Sequence, residues 1–211
     1  MSKQKSLSDC RLYLPVPATL EPALDDALAE LLAEADVASI LLVGDPSERP
    51  RESVLRLRDL AGAHEAAFLL DRDVQMATEI GADGVHLPPD PRLYRAAREA
   101  LGQRAVIGAG SVGSRHLAML LAELGADYVA FGPLADDSEP HDHRAELIAW
   151  WSEIFVVPSV AWDVENPEDA ARFARLGADF IAPSLRLWDR TAPLKEIAAI
   201  DEALQTEGRH S

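Results

Sequence analysis

The stretch "EIGADGVHLPP" at Glu79–Pro89 is the most informative part of the sequence for the fold, because the chain repeats its pattern twice further on. The copies read "ELGADYVAFGP" at residues 123–133 and "RLGADFIAPS" at residues 175–184. In each copy, Gly-Ala-Asp follows an Ala- and Leu-rich helical pattern and precedes a short apolar run. Glycine accepts the left-handed conformation that ends many helices, and the apolar run is typical of a buried strand. The pattern therefore predicts three turns from a helix into a strand.

A fainter fourth copy, "AEADVASILLVG" at residues 33–44, keeps the Ala-Asp pair and the apolar run but lacks the glycine. The four Ala-Asp pairs begin at residues 35, 82, 126 and 178, so they lie 47, 44 and 52 residues apart. These intervals are about twice the length of a compact strand-plus-helix unit. We therefore expect a second, differently written unit within each interval.

Eight apolar runs, each followed by a helical pattern, account for nearly the whole chain. The expected strands are residues 11–17, 38–44, 66–71, 84–89, 105–110, 128–133, 155–161 and 180–184. The expected helices are residues 20–34, 51–62, 73–80, 91–101, 114–124, 144–153, 166–176 and 193–205. Continuous apolar strands are what a parallel sheet covered by helices requires.

Eight such units predict a single-domain (β/α)8 TIM barrel over residues 11–206. We expect residues 1–10 to be a disordered or loosely attached N-terminus and residues 207–211 to be a C-terminal tail. The alternative is an open doubly wound sheet, which explains the alternation of strands and helices but not their number.

Composition narrows the function. The 211 residues are 48% apolar and 27% charged, which suffices for one buried core. The formal charge of −16 argues against nucleic acid or an acidic membrane as partner. A single cysteine, Cys10, excludes an internal disulfide. No apolar stretch approaches the length of a signal or membrane segment, so we expect a soluble, cytoplasmic protein.

The barrel fold places functional residues in the loops that follow the strands. One such loop, "GAGSVG" at residues 108–113, matches a dinucleotide-binding fingerprint and makes an NAD(P)-dependent oxidoreductase one alternative. Its glycines equally allow backbone N–H groups to approach an anionic ligand, or simply make a tight turn. Another loop, "ADDSEPHDH" at residues 135–143, is interpreted as a solvated lid in preference to a metal site.

Four motifs together, "IGADGVHL", "AVIGAGS", "LGADYVAFGP" and "LGADFIAPSL", resemble the thiamine phosphate synthase and TenI family over residues 36–188. The resemblance implies a (β/α)8 barrel. For the synthases it implies joining a hydroxymethylpyrimidine diphosphate to a thiazole phosphate with Mg²⁺ and release of pyrophosphate. TenI relatives isomerise the thiazole phosphate instead. The family site positions are matched here by His86, Gly108, Ser111, Gly132 and Ser184.

The chain departs from the family where the synthases bind phosphate. The Gln-x-Arg-x-Lys after strand two and the Thr-x-Thr-Lys after strand six are replaced by "LVGDPSERP" and "LADDSEPHD". The chain contains only three lysines, Lys3, Lys5 and Lys195. The glycine pair after strand seven becomes Trp162-Asp163. Arginine forks bind phosphate well and would substitute in part; the candidates are Arg49, Arg72, Arg115, Arg144 and Arg186.

These observations give a predicted site and two principal hypotheses. The predicted catalytic residues are His86 and Ser111. The predicted phosphate- or substrate-binding residues are Arg72, Gly108, Gly110, Arg115, Gly132, Ser184 and Arg186, and the predicted Mg²⁺ ligands are Asp71 and Asp90. The first hypothesis is a transferase acting on small phosphorylated heterocycles. The second is a catalytically silent ligand-binding or regulatory barrel, which a Trp162 ring filling the phosphate position would favour. The sequence allows a homo-oligomer in either case.

Overall fold

A computed structural model describes residues 10–21, 24–110, 112–132 and 141–208. Within these residues, eight parallel strands alternate with eight helices and close into a barrel whose strand order follows the chain. The predicted (β/α)8 barrel is confirmed, and the open-sheet alternative is wrong. Residues 1–9 of the predicted N-terminal segment and residues 209–211 of the predicted tail lie outside the described residues; Cys10 packs in the core.

The elements agree with the predicted units in number and order. The strands are β1 Arg11–Pro17, β2 Val37–Val43, β3 Ala67–Asp71, β4 Gly84–Leu87, β5 Val106–Ala109, β6 Tyr128–Phe131, β7 Ser159–Val164 and β8 Phe180–Pro183. The helices are α1 Asp25–Glu34, α2 Arg51–Ala63, α3 Val74–Ile80, α4 Pro91–Leu101, α5 Arg115–Glu123, α6 His141–Ile154, α7 Pro167–Arg175 and α8 Pro193–Gly208. Short 3-10 helices follow β2 at Pro46–Glu48 and β8 at Leu185–Asp189. Among the residues described, no helix is both long and apolar enough to span a membrane.

The repeated Gly-Ala-Asp performs the turn that the sequence predicted. Its glycines all take a positive φ after a helix, and they are Gly81 at 66°, Gly125 at 88° and Gly177 at 95°. Each aspartate carboxylate then accepts a hydrogen bond from a backbone N–H of the preceding strand or its edge. The three bonds run from Phe68 to Asp83 at 2.8 Å, from Ile107 to Asp127 at 2.8 Å and from Ser159 to Asp179 at 2.9 Å. The repeat therefore fixes strand register at the N-terminal end of the barrel, away from the expected site.

Strand β7 differs from its prediction. The apolar run at residues 155–157 suggested a start at Phe155, but the strand begins at Ser159. Phe155 stacks on Trp151 with ring centroids 4.1 Å apart, and the Trp151 indole N–H donates to the Val157 carbonyl at 2.7 Å. The run therefore packs against the end of α6. As a consequence, Trp162 and Asp163 lie within β7 and not in the loop after it.

Inside the barrel, aromatic and polar side chains lie together with aliphatic ones. A small cluster inside the barrel includes Tyr13, Leu41, Leu69, Tyr128 and Val160. Strand residues alternate between this interior and the apolar layer under the helices. His86 of β4 and Trp162 of β7 contact the same interior cluster through their rings. The residues of this cluster that are nearest the C-terminal ends of the strands lie directly below the opening of the barrel.

Candidate active site

A cavity of about 330 Å³ opens at the C-terminal end of the barrel. Its polar walls are Asp71, Arg72 and His86, and Trp162 and Leu185 are among its apolar walls. These residues come from the ends of β3, β4 and β7 and from the segment after β8, which are far apart in the sequence. The cavity is therefore where the barrel fold predicts a site.

His86 lies at the base of this cavity and is only 7% exposed. Its Nδ1 is 2.7 Å from the hydroxyl of Tyr128, and that hydroxyl is 2.6 Å from the hydroxyl of Tyr13. Burial lowers the pKa of His86 to about 4, because a charged imidazole loses its hydration inside the barrel. His86 is therefore neutral near pH 7.

Trp162 covers one face of the His86 ring. The two ring centroids are 4.8 Å apart and the ring planes differ by 16°. The backbone is irregular here, since the pairing of β7 with β8 shifts register between Ala161 and Val164 and Asp163 has a φ of 62°. The bulge turns the indole toward the barrel axis, so Trp162 forms a wall of the cavity.

The glycines predicted to approach a phosphate have a packing reason for lacking a side chain. A Cβ at Gly108 would lie 1.8 Å from the Tyr128 ring, and one at Gly110 would lie 2.1 Å from Nε2 of His86. At Gly132 it would lie 2.8 Å from Cβ of Trp162. Gly110 lines the cavity. Close packing thus accounts for Gly108 and Gly110 of "GAGSVG", and no bound dinucleotide is needed to explain them.

The charged groups at the rim are Asp71 and Arg72. The Arg72 Nε donates to Oδ2 of Asp71 at 3.0 Å, and the Arg72 backbone N–H donates to the His86 carbonyl. Burial raises the pKa of Asp71, while Arg72 and then Arg49 lower it in part. The Arg72 side chain is 52% exposed, so it has room to turn toward an anion in the cavity.

Arg49 joins the loop after β2 to the end of β3. Its Nη2 donates to the carbonyls of Gly44 at 2.5 Å and Asp71 at 2.7 Å, and its side chain is 1% exposed. Arg144 is also buried and donates to the carbonyls of Trp162 and Asp163. Sequence reasoning offered both arginines as substitute phosphate ligands. In the structure, their hydrogen bonds to backbone carbonyls stabilise the segments around the cavity.

The remaining predicted site residues do not lie on the walls of the cavity, as far as the described residues define it. Arg115 lies over the Trp150 ring at 4.9 Å, and Arg186 pairs with Glu165 at 2.8 Å. Asp90 caps α4 by accepting from the Arg92 N–H at 2.8 Å. The buried Ser184 hydroxyl accepts from the Arg186 N–H at 3.3 Å.

Two parts of the predicted site lie outside the described residues. They are Ser111 and most of the acidic loop at 135–143, of which only the start of α6 at His141 is described. In the part of the chain that is described, no group of three or more His, Cys, Asp or Glu side chains converges as a metal site.

Sequence reasoning missed the two tyrosines that contact His86. Tyr13 and Tyr128 stand in strands that read as apolar, and the sequence analysis did not single them out. The sequence did contain one signal, the alternation of side chains along a strand. Tyr128 comes one residue after the aspartate of its repeat copy and His86 comes three residues after the aspartate of another, so both side chains point to the same face of the sheet. Only the register of the strands brings the two side chains together.

Comparison with known proteins identifies a family. A family model described as thiamine monophosphate synthase matches residues 22–185. A thiamine-phosphate synthase of Rhodospirillum centenum is 36% identical over 208 residues, covering 94% of this chain and all of the relative. A thiamine-phosphate synthase of Hyphomonas neptunium is 32% identical, covering 92% of this chain and 95% of the relative.

Two solved structures have the same barrel fold. Thiamine phosphate pyrophosphorylase from Pyrococcus furiosus superposes with a TM-score of 0.77 at 25% identity, covering 95% of this chain and 98% of that one. A 3-hexulose-6-phosphate synthase from Salmonella typhimurium superposes with a TM-score of 0.69 at 20% identity. The second likeness shows the shared barrel alone.

Proposed function

The chain belongs to the thiamine monophosphate synthase family, and on this premise we propose that it joins a hydroxymethylpyrimidine diphosphate to a thiazole phosphate, or acts on a related heterocycle phosphate. One observation carries the proposal: the cavity at the mouth of the family's barrel combines an aromatic wall, a neutral histidine and a charged rim. Chains named thiamine-phosphate synthase align with nearly the whole length of this one.

The shape of the cavity suits a planar ring. Its volume is about 330 Å³, at the small end of the range of roughly 300–1,000 Å³ for small-molecule sites. The Trp162 indole offers an aromatic face and Leu185 an apolar one, and both would keep water away from the reacting carbon of a bound substrate. Neutral His86 sits at the floor, where it orients a ring through a hydrogen bond and adds no charge.

The charged rim suits the diphosphate. Arg72, half exposed and next to Asp71, would bind a phosphate oxygen through its guanidinium. Asp71 fits a Mg²⁺ ion because it is a carboxylate on the cavity wall, and Mg²⁺ commonly binds one or two carboxylates together with substrate phosphates. Asp90 is the second proposed ligand. The ion would neutralise the charge that develops on the leaving pyrophosphate.

Turnover of the purified chain tests this proposal. The protein is incubated with both precursors and Mg²⁺, and the coupled product and the released pyrophosphate are measured together. We expect the two to form in equal amounts and to depend on added Mg²⁺. Product formation no faster than in the protein-free reaction would contradict the proposed transferase.

The silent ligand-binding barrel is retained as a second candidate because of Trp162. Its ring lies over His86 at the mouth, and the buried Arg49 and Arg144 donate to backbone carbonyls. A protein of this kind would be stabilised against heat by a thiamine precursor without converting it. Thermal unfolding with each precursor separately distinguishes it from the transferase.

A further inference from the structure

Three buried polar side chains form a hydrogen-bonded chain inside the barrel. The hydroxyl of Tyr13 is 2.6 Å from that of Tyr128, which is 2.7 Å from Nδ1 of His86. The three residues are 2%, 5% and 7% exposed, respectively. They come from β1, β6 and β4, so the closed barrel brings them together. Buried hydrogen-bonded groups of this kind constrain where each proton lies.

The direction of the two hydrogen bonds follows from counting protons. If Tyr13 donates to Tyr128 and Tyr128 donates to Nδ1 of His86, both hydroxyl protons have an acceptor. If Nδ1 donates to Tyr128 instead, Tyr128 must donate to Tyr13, and the Tyr13 proton then finds no acceptor among the described residues. Each direction leaves one donor without an acceptor among the described residues: the Tyr13 hydroxyl in the second, and the Nε2–H of His86 in the first. His86 lines the cavity, where water or a ligand can accept, whereas Tyr13 is 2% exposed and does not line it. A buried donor without an acceptor is costly, so the first direction is favoured.

This direction fixes the tautomer of His86. A neutral imidazole carries one proton, and with Nδ1 accepting from Tyr128 that proton lies on Nε2. His86 and Gly110 both line the cavity, and Nε2 lies beside Gly110, since a Cβ added there would come within 2.1 Å of it. Trp162 covers one face of the imidazole, so a ligand cannot stack on that face.

We propose that His86 presents a fixed Nε2–H donor to the cavity, that it binds an acceptor nitrogen of an aromatic heterocycle, and that Tyr128 and Tyr13 are positioning residues which hold this tautomer. The inference rests on the proposed function for the identity of the heterocycle. It gives His86 the role of a hydrogen-bond donor and not that of a proton acceptor. A group that donates a fixed proton selects rings with a matching lone pair, since a mismatched ring leaves the donor unpaired.

The tautomer is tested without any ligand. Nitrogen NMR of histidine-labelled protein distinguishes protonated from unprotonated ring nitrogens, and the His86→Asn spectrum assigns the His86 signals. We expect a protonated Nε2 and an unprotonated Nδ1 in the wild type, and a mixture of tautomers in Tyr128→Phe. A protonated Nδ1 in the wild type would overturn the inference. Because no turnover is needed, this result is independent of the proposed function.

Two substitutions at His86 test whether this residue acts as a hydrogen-bond donor or as a base. The amide nitrogen of glutamine reaches about the position of Nε2, whereas that of asparagine reaches only that of Nδ1. With hydroxymethylpyrimidine diphosphate as probe, we expect His86→Gln to stay within about threefold of the wild-type Kd and His86→Asn to bind about tenfold more weakly. Equal losses in the two variants would contradict the donor role, as would no loss in either.

Ligand signals and controls complete the test. Hydroxymethylpyrimidine diphosphate should shift the Nε2 signal of His86, and inorganic pyrophosphate should leave it in place; a shift with pyrophosphate alone would contradict recognition of the ring. Tyr94→Phe, which removes a buried hydroxyl outside the barrel interior, serves as control and should change neither signal. If Tyr128→Phe fails to fold, the double variant Tyr13→Phe/Tyr128→Phe leaves no stranded hydroxyl, and it should again show mixed tautomers.

Discussion

The indole of Trp162 lies nearly parallel to the imidazole of His86, with ring centroids 4.8 Å apart. Tyr128 lies against His86 as well, with centroids 5.8 Å apart and 24° between the planes. Side chains of β4, β6 and β7 thus form one aromatic stack under the cavity. Trp162 also lines the cavity, so we expect a ligand ring bound there to lie close to its indole.

Trp162 should therefore report ligand binding through its fluorescence. We expect hydroxymethylpyrimidine diphosphate to quench the wild-type emission and to have little effect on Trp162→Phe. Trp150→Phe is the matched control, because Trp150 packs against Arg115 on the helical layer, and it should keep the quench. Quenching that persists in Trp162→Phe would place the ligand elsewhere.

Gly108→Ala tests whether packing demands a glycine at this position of β5. The new Cβ would meet the Tyr128 ring at 1.8 Å, and we expect a loss of about 3 kcal/mol or more in the free energy of unfolding. Gly62→Ala is the control, since this helical glycine has no atom within 4 Å of an added Cβ. It should stabilise the protein by about 0.5–1 kcal/mol. Urea unfolding measures both; a neutral Gly108→Ala would refute the packing explanation.

Local patterns were enough to predict the number and order of the units. The glycine and aspartate of each repeat act within one turn and one strand pair, so short-range sequence encodes them. The position of β7 was not predictable in this way. The run at residues 155–157 is apolar because it packs against Trp151, and periodicity alone does not distinguish such packing from a strand.

The buried His86 should make stability depend on pH. Its pKa is about 4 in the folded protein and about 6.5 in an unfolded chain. Between these values the unfolded chain binds more protons, so the free energy of unfolding falls as the pH falls. From pH 7 to pH 5 we expect a loss of about 2 kcal/mol from this residue.

Urea unfolding at both pH values measures this loss. His86→Gln is the comparison, because glutamine does not titrate. The burial-raised pKa of Asp71 acts in the opposite direction, and it remains in both proteins. Equal pH dependence in the two proteins would show that His86 is not the neutral, buried group described above.

Asp71→Asn tests the proposed metal ligand. We expect the concentration of Mg²⁺ that gives half-maximal turnover to rise on the order of tenfold or more, because a neutral amide is a poorer ligand for a hard cation. Asp59→Asn is the control, since Asp59 is an exposed residue of α2 paired with Arg58. An unchanged Mg²⁺ dependence in Asp71→Asn would remove this residue from the metal site.

The site was less predictable than the fold because its residues meet through strand register. His86 stood out as a histidine in an apolar strand, and Asp71 and Arg72 as charges after one. Tyr13 and Tyr128 gave no such signal, and the roles of Gly108 and Gly132 depend on rings 20 and 30 residues away. The buried arginines were assigned to phosphate by charge, whereas Arg49 donates to carbonyls at the ends of β2 and β3.

A crystal structure with hydroxymethylpyrimidine diphosphate and Mg²⁺ bound would show whether this cavity binds the substrate. We predict the pyrimidine ring in the cavity against Trp162, a ring nitrogen within hydrogen-bonding distance of Nε2 of His86, and the diphosphate toward Arg72 and Asp71. A ligand bound outside this cavity, or one whose diphosphate lies against the His86 ring edge, would contradict the account.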